Sequence, residues 1–269
     1  MTEPTTTGTV APRLLTYAAP FVFGILVLAL WQIAVQADHV PDYVLPSPTR
    51  IGRALVEDLP TLLPSLLVTL SITLEAFLVA AIGGLLLGML FTLSPWIERS
   101  LFPYAVILQV TPIVAIAPLI IIWARDTHLA LLICAWLVAF FPVVSNAAVG
   151  LNSTDRNLLD LFRLHGATGV QKLLLLRLPG ALPYYLAGLR ISGGLALIGA
   201  VVAEFVAGTG GARSGLAYRI LEAGYRLEIP RMFAALVLIS ASGILIFAAL
   251  SLLSRRLLRH WHDSALGEH

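Results

Sequence analysis

The longest polar interruption in this 269-residue chain, residues 152–183, carries side chains suited to binding another protein. Arg156, Asp160 and Arg163 follow one another at i, i+4 and i+7, so a short helix would place them on one face and Phe162 on the other. The stretch is far longer than the about 2 to 8 residues that commonly connect two helices. It therefore indicates a docking surface, and the alternative is an amphipathic helix pair lying along lipid headgroups.

Start and stop signals divide this stretch into two helices. We expect one residue of the Ser153–Thr154 pair to cap the first helix, and Gly166 to end it in left-handed geometry. Thr168 and Gln171 have the spacing of a capping box for the second helix, which we expect to stop before Pro179. Both helices belong to a loop of about residues 151–180.

The composition places this loop in a membrane protein. Hydrophobic residues make up 58% of the chain, charged residues 12%, and the mean hydropathy is +0.90. Soluble proteins contain about 25% charged residues. The chain is therefore predicted to be an integral membrane protein.

Apolar runs long enough to cross a hydrocarbon core of about 30 Å predict the membrane spans. Five runs contain no Asp, Glu, Lys or Arg: Leu14–Ala37, Ala76–Ile97, Ser100–Ala124, Thr127–Thr154 and Met232–Ser254. The second run is expected to begin earlier, near Pro64 or Ser65, and a sixth covers Leu182–Ala207. Gly84 and Gly88 form a GxxxG pattern typical of close helix packing. The fold class predicted is an all-α polytopic membrane protein with six transmembrane helices.

The distribution of basic residues predicts the orientation of these spans. With six spans and both termini inside, nine Lys and Arg residues lie inside and seven outside, Arg190 set aside. Arg255, Arg256 and Arg259, directly after the last span, favour a cytoplasmic C-terminus. We therefore expect cytoplasmic tails at 1–13 and 258–269 around a membrane domain at 14–257. The first span lacks a small-residue cleavage site, so we expect it to be retained.

Ionisable and polar residues inside the spans are candidates for the translocation pathway. Glu204 and Arg190 lie on one span about 21 Å apart along the helix, too far to pair with each other. Glu204 is expected either at the outer rim, paired with a residue such as Arg213, or in the pathway. Arg190 is expected to pack or to hydrogen-bond in the inner half. The remaining candidates lie near prolines and either line a cavity or join helices: Gln109, Thr111, Ser145 and Asn146.

Other chemistries lack the residues that they need. The only lysine is Lys172, outside any glycine-rich phosphate-binding loop, so the chain is not expected to hydrolyse ATP. Cys134 is the only cysteine, which excludes disulfides and cysteine metal sites, and we expect no metal, cofactor or nucleic acid to bind.

Two rival functions remain open. A membrane-embedded hydrolase would need a nucleophile beside a base, yet Ser214, His128 and His165 are scattered along the sequence. An ion-coupled secondary carrier would more often show internal repeats and several buried acids.

Several segments together resemble a known family. Gly166, Leu176, Leu178 and Pro179 have the spacing of the cytoplasmic EAA loop of binding-protein-dependent ABC transporter permeases. Four further segments are similar to permeases of the nitrate, sulfonate and taurine type: 45–48, 111–123, 140–146 and 188–205.

The resemblance implies a type I importer subunit in a bacterial inner membrane. Its partners would be a cytoplasmic ABC ATPase dimer that uses the ATP, a second permease copy, and a periplasmic or lipid-anchored substrate-binding protein. The substrate would be a small solute such as nitrate, a sulfonate, taurine or a pyrimidine-like heterocycle. The residues implied in ATPase coupling are Asp160, Leu161, Phe162, Gly166, Leu178 and Pro179.

The chain departs from the family pattern at two places. Asp160, Leu161 and Phe162 stand where the family has Glu, Ala and Ala, which keeps the acid and enlarges the apolar side chains. Ile72 stands where many members carry an arginine, which leaves the substrate open.

Overall fold

The computed structural model describes residues 13–208 and 214–259, and all its regular elements in those ranges are helices. In chain order they are α1 (Arg13–Ala37), α2 (Pro48–Glu57), α3 (Leu59–Leu93), α4 (Pro95–Val110), α5 (Ile113–Ala124), α6 (Thr127–Asn152), α7 (Arg156–Leu164), α8 (Gly169–Lys172), α9 (Leu178–Ala207), α10 (Leu216–Tyr225) and α11 (Ile229–Leu258). A π-helical turn, Leu173–Arg177, joins α8 to α9. Most of both predicted tails, residues 1–12 and 260–269, lies outside the described residues.

Five described helical segments are long and apolar enough to cross a membrane: Ala18–Ala37, Leu59–Leu93, Thr127–Asn152, Gly169–Ala207 and Ile229–Leu258. The predicted span at Ser100–Ala124 is instead a pair of helices, α4 and α5. The helix axis bends by 103° at the break between them. Thr111 precedes Pro112 and takes extended geometry, as residues before proline do, and this ends α4. The predicted six spans are reached if the pair counts as one.

The centre of the bundle is built from α3, α6 and α9, whose backbones approach closely where glycine faces a small or branched residue. A Cβ added at Gly84 would lie 2.7 Å from Val143 Cβ, and one at Gly88 would lie 2.9 Å from Ala147 Cβ. The GxxxG pattern therefore packs α3 against α6 within the chain, as expected.

α3 and α6 run in the same direction, since Gly84 faces Val143 and Gly88 faces Ala147, and α9 runs in the opposite direction, which defines two ends of the bundle. The end that carries α7 and α8 is called the loop end, and the end that carries α2 and α10 is called the far end. With 35 residues, α3 is about 52 Å long at 1.5 Å per residue, well beyond a hydrocarbon core of about 30 Å. Its first turns project at the far end, where Leu62 packs against α2, α10 and α11.

Candidate functional site

The loop between α6 and α9 begins with a cap that the sequence did not predict. Asp155, rather than either residue of the Ser153–Thr154 pair, caps α7 by accepting a 2.7 Å hydrogen bond from the amide of Asn157. Ser153 is engaged elsewhere, because its hydroxyl donates to the carbonyl of Gly150 at 2.8 Å and closes α6.

Gly166 ends α7 as predicted. Its φ is +70°, and its amide donates to the carbonyl of Arg163 at 2.9 Å. The amide of Ala167 donates to the carbonyl of Phe162 at 3.0 Å, which completes a Schellman motif. This turn fixes the angle between α7 and α8.

The predicted capping box of α8 is also present. The amide of Thr168 donates to the Gln171 side chain at 2.7 Å, and the amide of Gln171 donates to the Thr168 hydroxyl at 3.3 Å. Two amides that would otherwise lack partners at the start of α8 are therefore bonded.

The second helix does not stop before Pro179, which corrects the prediction. Pro179 lies in the first turn of α9, where a missing N–H is tolerated, and helical structure runs without a break from Gly169 to Ala207. Leu173 is buried against Leu151 and Ala181, with Leu178 packed beside them. The base of the loop is therefore fixed in the bundle.

The tip of the loop is exposed. None of the residues of α7 is buried, and the exposed fractions of the Leu161 and Leu164 side chains are 47% and 86%. Asp160 accepts a 2.7 Å hydrogen bond from Arg163 on this surface. A groove of about 400 Å³ beside it is lined by Leu161, Phe162, His165, Ala167, Gln171 and Leu175.

A second cavity, of about 330 Å³, lies at the bend between α4 and α5. Gln109 and Thr111 lie on its wall together with Pro142 of α6 and Leu195 of α9, and the rest of the lining is apolar. The Thr111 hydroxyl donates to the carbonyl of Ile107 at 2.6 Å. Two of the predicted pathway residues therefore share one cavity.

The other predicted pathway residues lie elsewhere. The side chain of Asn146 donates to the carbonyl of Pro142 at 2.8 Å, and neither Asn146 nor Ser145 lines the cavity. Arg190 is half-buried, and within the described residues its Nε has no hydrogen-bond partner.

Glu204 is buried rather than exposed at a rim, with 3% of its surface accessible. Its Oε2 accepts hydrogen bonds from the Thr69 hydroxyl at 3.1 Å and the Ala217 amide at 3.0 Å. Arg213, the partner considered from the sequence, lies outside the described residues. Sequence reasoning missed Thr69, which is 135 positions away and has no local signal.

Ion pairs collect at the far end, and the sequence did not predict them. Arg231 bonds both Asp58 and Glu228, joining the start of α11 to the start of α3. On α10, Glu222 accepts a 2.8 Å hydrogen bond from Arg219, which lowers the pKa of the Glu222 carboxyl. This charged layer is suited to water beyond the hydrocarbon.

Comparison with known proteins identifies the class that this bundle defines. The model of the family described as "Binding-protein-dependent transport system inner membrane component" matches residues 80–259. The chain belongs to this family, and it is a multi-pass permease subunit of an ABC importer rather than an enzyme. Membership implies an ATPase and a substrate-binding protein as partners.

Individual relatives cover most of the chain. It is 34% identical to the formylaminopyrimidine transport permease protein ThiX of Halalkalibacterium halodurans over 89% of this chain and 94% of the relative. It is 31% identical to the putative aliphatic sulfonates transport permease protein SsuC of Bacillus subtilis over 90% of this chain and 87% of the relative. An amino acid ABC transporter structure shares the fold, with a TM-score of 0.61 and 19% identity over 75% of this chain and 96% of the other.

Proposed function

We propose that the groove beside α7 is the surface on which a cytoplasmic ATPase docks. One observation carries this proposal: the wall of the groove exposes the apolar Leu161 at the tip of the loop, while the base of the loop is fixed by buried Leu173. The rigid base would transmit force, and the exposed tip would receive it. Docking there would put the loop end and both termini in the cytoplasm.

The complex would contain two copies of this chain, two ATPase subunits that bind and hydrolyse the ATP, and a binding protein at the far end. The second copy is supported by α9, the most central helix, which still exposes Tyr184, Ile191, Ile198 and Phe205 at a spacing of seven residues. No cofactor would be bound by this chain itself.

A single-cysteine experiment tests the second copy. Cys134 is buried and can be replaced by alanine, after which a cysteine introduced at Ile191 or Ile198 is oxidised in membranes. A disulfide-linked dimer at these positions, with none at the lipid-facing control Phe21, is the expected result. Equal yields at all three positions would count against the proposed interface.

The substrate would be a small solute that passes the cavity at the α4–α5 bend. Supporting this, the cavity volume of about 330 Å³ lies within the range of ligand sites, roughly 300–1,000 Å³. Gln109 and Thr111 offer uncharged hydrogen-bonding groups there. The names of the relatives favour a formylaminopyrimidine-like heterocycle or an aliphatic sulfonate, with taurine and nitrate as further candidates.

Docking is tested with two leucines of the same helix. Leu161 lines the groove and Leu164, although more exposed, does not. Leu161→Ala and Phe162→Ala are expected to lower capture of the ATPase from detergent extracts about tenfold, and Leu164→Ala to leave it unchanged. If Leu161→Ala and Phe162→Ala captured as much ATPase as Leu164→Ala, docking at this groove would be refuted. Ligand binding to the partner binding protein would then identify the substrate.

A further inference from the structure

We propose that Glu204 is a positioning residue for transport: it fixes the first turn of α10 to α3 and α9, so that α10 follows α9 when the loop moves. The inference rests on the proposed function of the α7 surface. The attachment of α10 to α3 and α9 is seen at the far end, in hydrogen bonds between described residues.

Glu204 and Thr69 form the attachment, called here the Glu204 clasp. The Glu204 carboxylate of α9 accepts the Ala217 amide at 3.0 Å, and the Thr69 hydroxyl of α3 accepts the Leu216 amide at 2.8 Å. Thr69 also donates to Glu204 at 3.1 Å, so the two acceptors are joined to each other. Three helices therefore meet in one hydrogen-bonded group.

The N-cap residue of α10 shows that this attachment is not a local cap. A Ser or Asp at the N-cap would accept the amide of Ala217, the second residue of α10, within its own helix. The chain instead has Gly215 there, without a side chain, and takes both acceptors from other helices. A Cβ added at Gly215 would lie 2.1 Å from the Glu204 carboxyl carbon, so the glycine lets the carboxylate reach the amide of Ala217.

Burial makes this arrangement costly, which indicates that it has a role. Glu204 is 3% exposed, and within the described residues its Oε1 has no hydrogen-bond partner. An acid buried in an apolar bundle is unfavourable compared with an apolar residue of similar size. A serine cap would hold α10 without that cost, but it would not join α10 to α9.

The path from the loop to the clasp is continuous. Helical structure runs from Gly169, beside the exposed loop, to Ala207, three residues beyond Glu204. α10 is attached to α3 a second time, because Arg219 donates to the Ser65 hydroxyl at 2.9 Å. Glu204 supplies a hydrogen bond from α10 to α9, and its loss would leave the hydrogen bonds of α10 to Thr69 and Ser65 of α3 and its packing against α11.

The first experiment measures amide hydrogen exchange over residues 214–220 in the full-length permease in lipid nanodiscs. Glu204→Ala and Thr69→Val are expected to exchange roughly tenfold faster, since each removes a buried hydrogen-bond partner. Glu204→Gln and Thr69→Ser keep an acceptor and are expected to stay within about threefold of the parent. Tyr225→Ala, an exposed change on α10, is the matched control.

The second experiment uses the complete transporter, with ATPase and binding protein, in proteoliposomes. The quantity measured is solute transported per ATP hydrolysed, which a change in protein amount does not alter. Glu204→Ala is expected to lower this ratio about fivefold, with recovery in Glu204→Gln.

Two results would overturn the proposal: exchange within twofold of the parent in both Glu204→Ala and Thr69→Val, or faster exchange with an unchanged transport ratio. Failure of the proposed function is seen separately, as unchanged ATPase capture by Leu161→Ala. The exchange measurement does not depend on that capture.

Discussion

Replacing Gly166 by alanine tests how the geometry of the loop contributes to coupling. The φ of Gly166 is +70°, and a Cβ added there would meet no atom within 4 Å. The cost of the substitution is therefore in the backbone alone, about 1–2 kcal/mol for a left-handed alanine. That corresponds to roughly a five- to thirty-fold shift in the local equilibrium between the Schellman turn and open conformations.

The control is a second glycine three residues along. Gly169→Ala also meets no atom within 4 Å, and Gly169 lies in ordinary helical geometry at the start of α8. It should therefore be neutral or slightly stabilising. Gly166→Asn should recover part of the loss, because asparagine tolerates the left-handed region.

The assay is amide exchange over residues 164–168, followed by ATPase capture. Gly166→Ala should exchange about five- to thirty-fold faster and capture less ATPase, while Gly169→Ala behaves as the parent. If the two alanine variants exchange at the same rate, the left-handed turn does not hold the loop and the reasoning is refuted.

Three further predictions concern packing and charge. Gly84→Ala should destabilise the α3–α6 contact and lower the thermal unfolding midpoint, whereas Gly83→Ala, whose Cβ would lie 3.4 Å from its nearest neighbour, should not. The lowered pKa of Glu222 adds stability above its unfolded pKa of about 4.3, and this stability is lost as the pH falls through the lower folded value. The protection of the α10 amides, corrected for the intrinsic pH dependence of exchange, should therefore decrease as the pH falls below the unfolded pKa, and Glu222→Gln should remove that dependence. Arg231→Ala leaves Asp58 without this partner and should speed exchange at the start of α3 several-fold, while an unchanged rate would show the ion pair to be dispensable.

The spans could be predicted because each is a local run of apolar residues. The bend at Thr111 and Pro112 escaped the prediction, since hydropathy averaged along the chain carries no information on direction. The signal was present in the residue before the proline, which favours extended geometry. Conversely, Pro179 was predicted to end the second helix of the loop. The helix continues, because a π-helical turn precedes Pro179 and the proline lies in the first turn of α9.

The candidate site was predictable where its determinants are local. Gly166 and the capping box at Thr168 depend on residues within a few positions and were confirmed. The surroundings of Glu204 depend on Thr69 and on the amides of α10, which only the folded bundle brings together. Short-range patterns therefore describe the loop well and say little about contacts between distant helices.

The close approach of Gly215 to the Glu204 carboxyl constrains how related sequences can diverge. A side chain at position 215 would occupy the space that the carboxylate fills, so position 215 cannot change freely while Glu204 is kept. A lineage that acquires serine at 215 would have to shorten or replace the acid at 204, and could then cap α10 locally. The two positions should therefore be inherited as a pair.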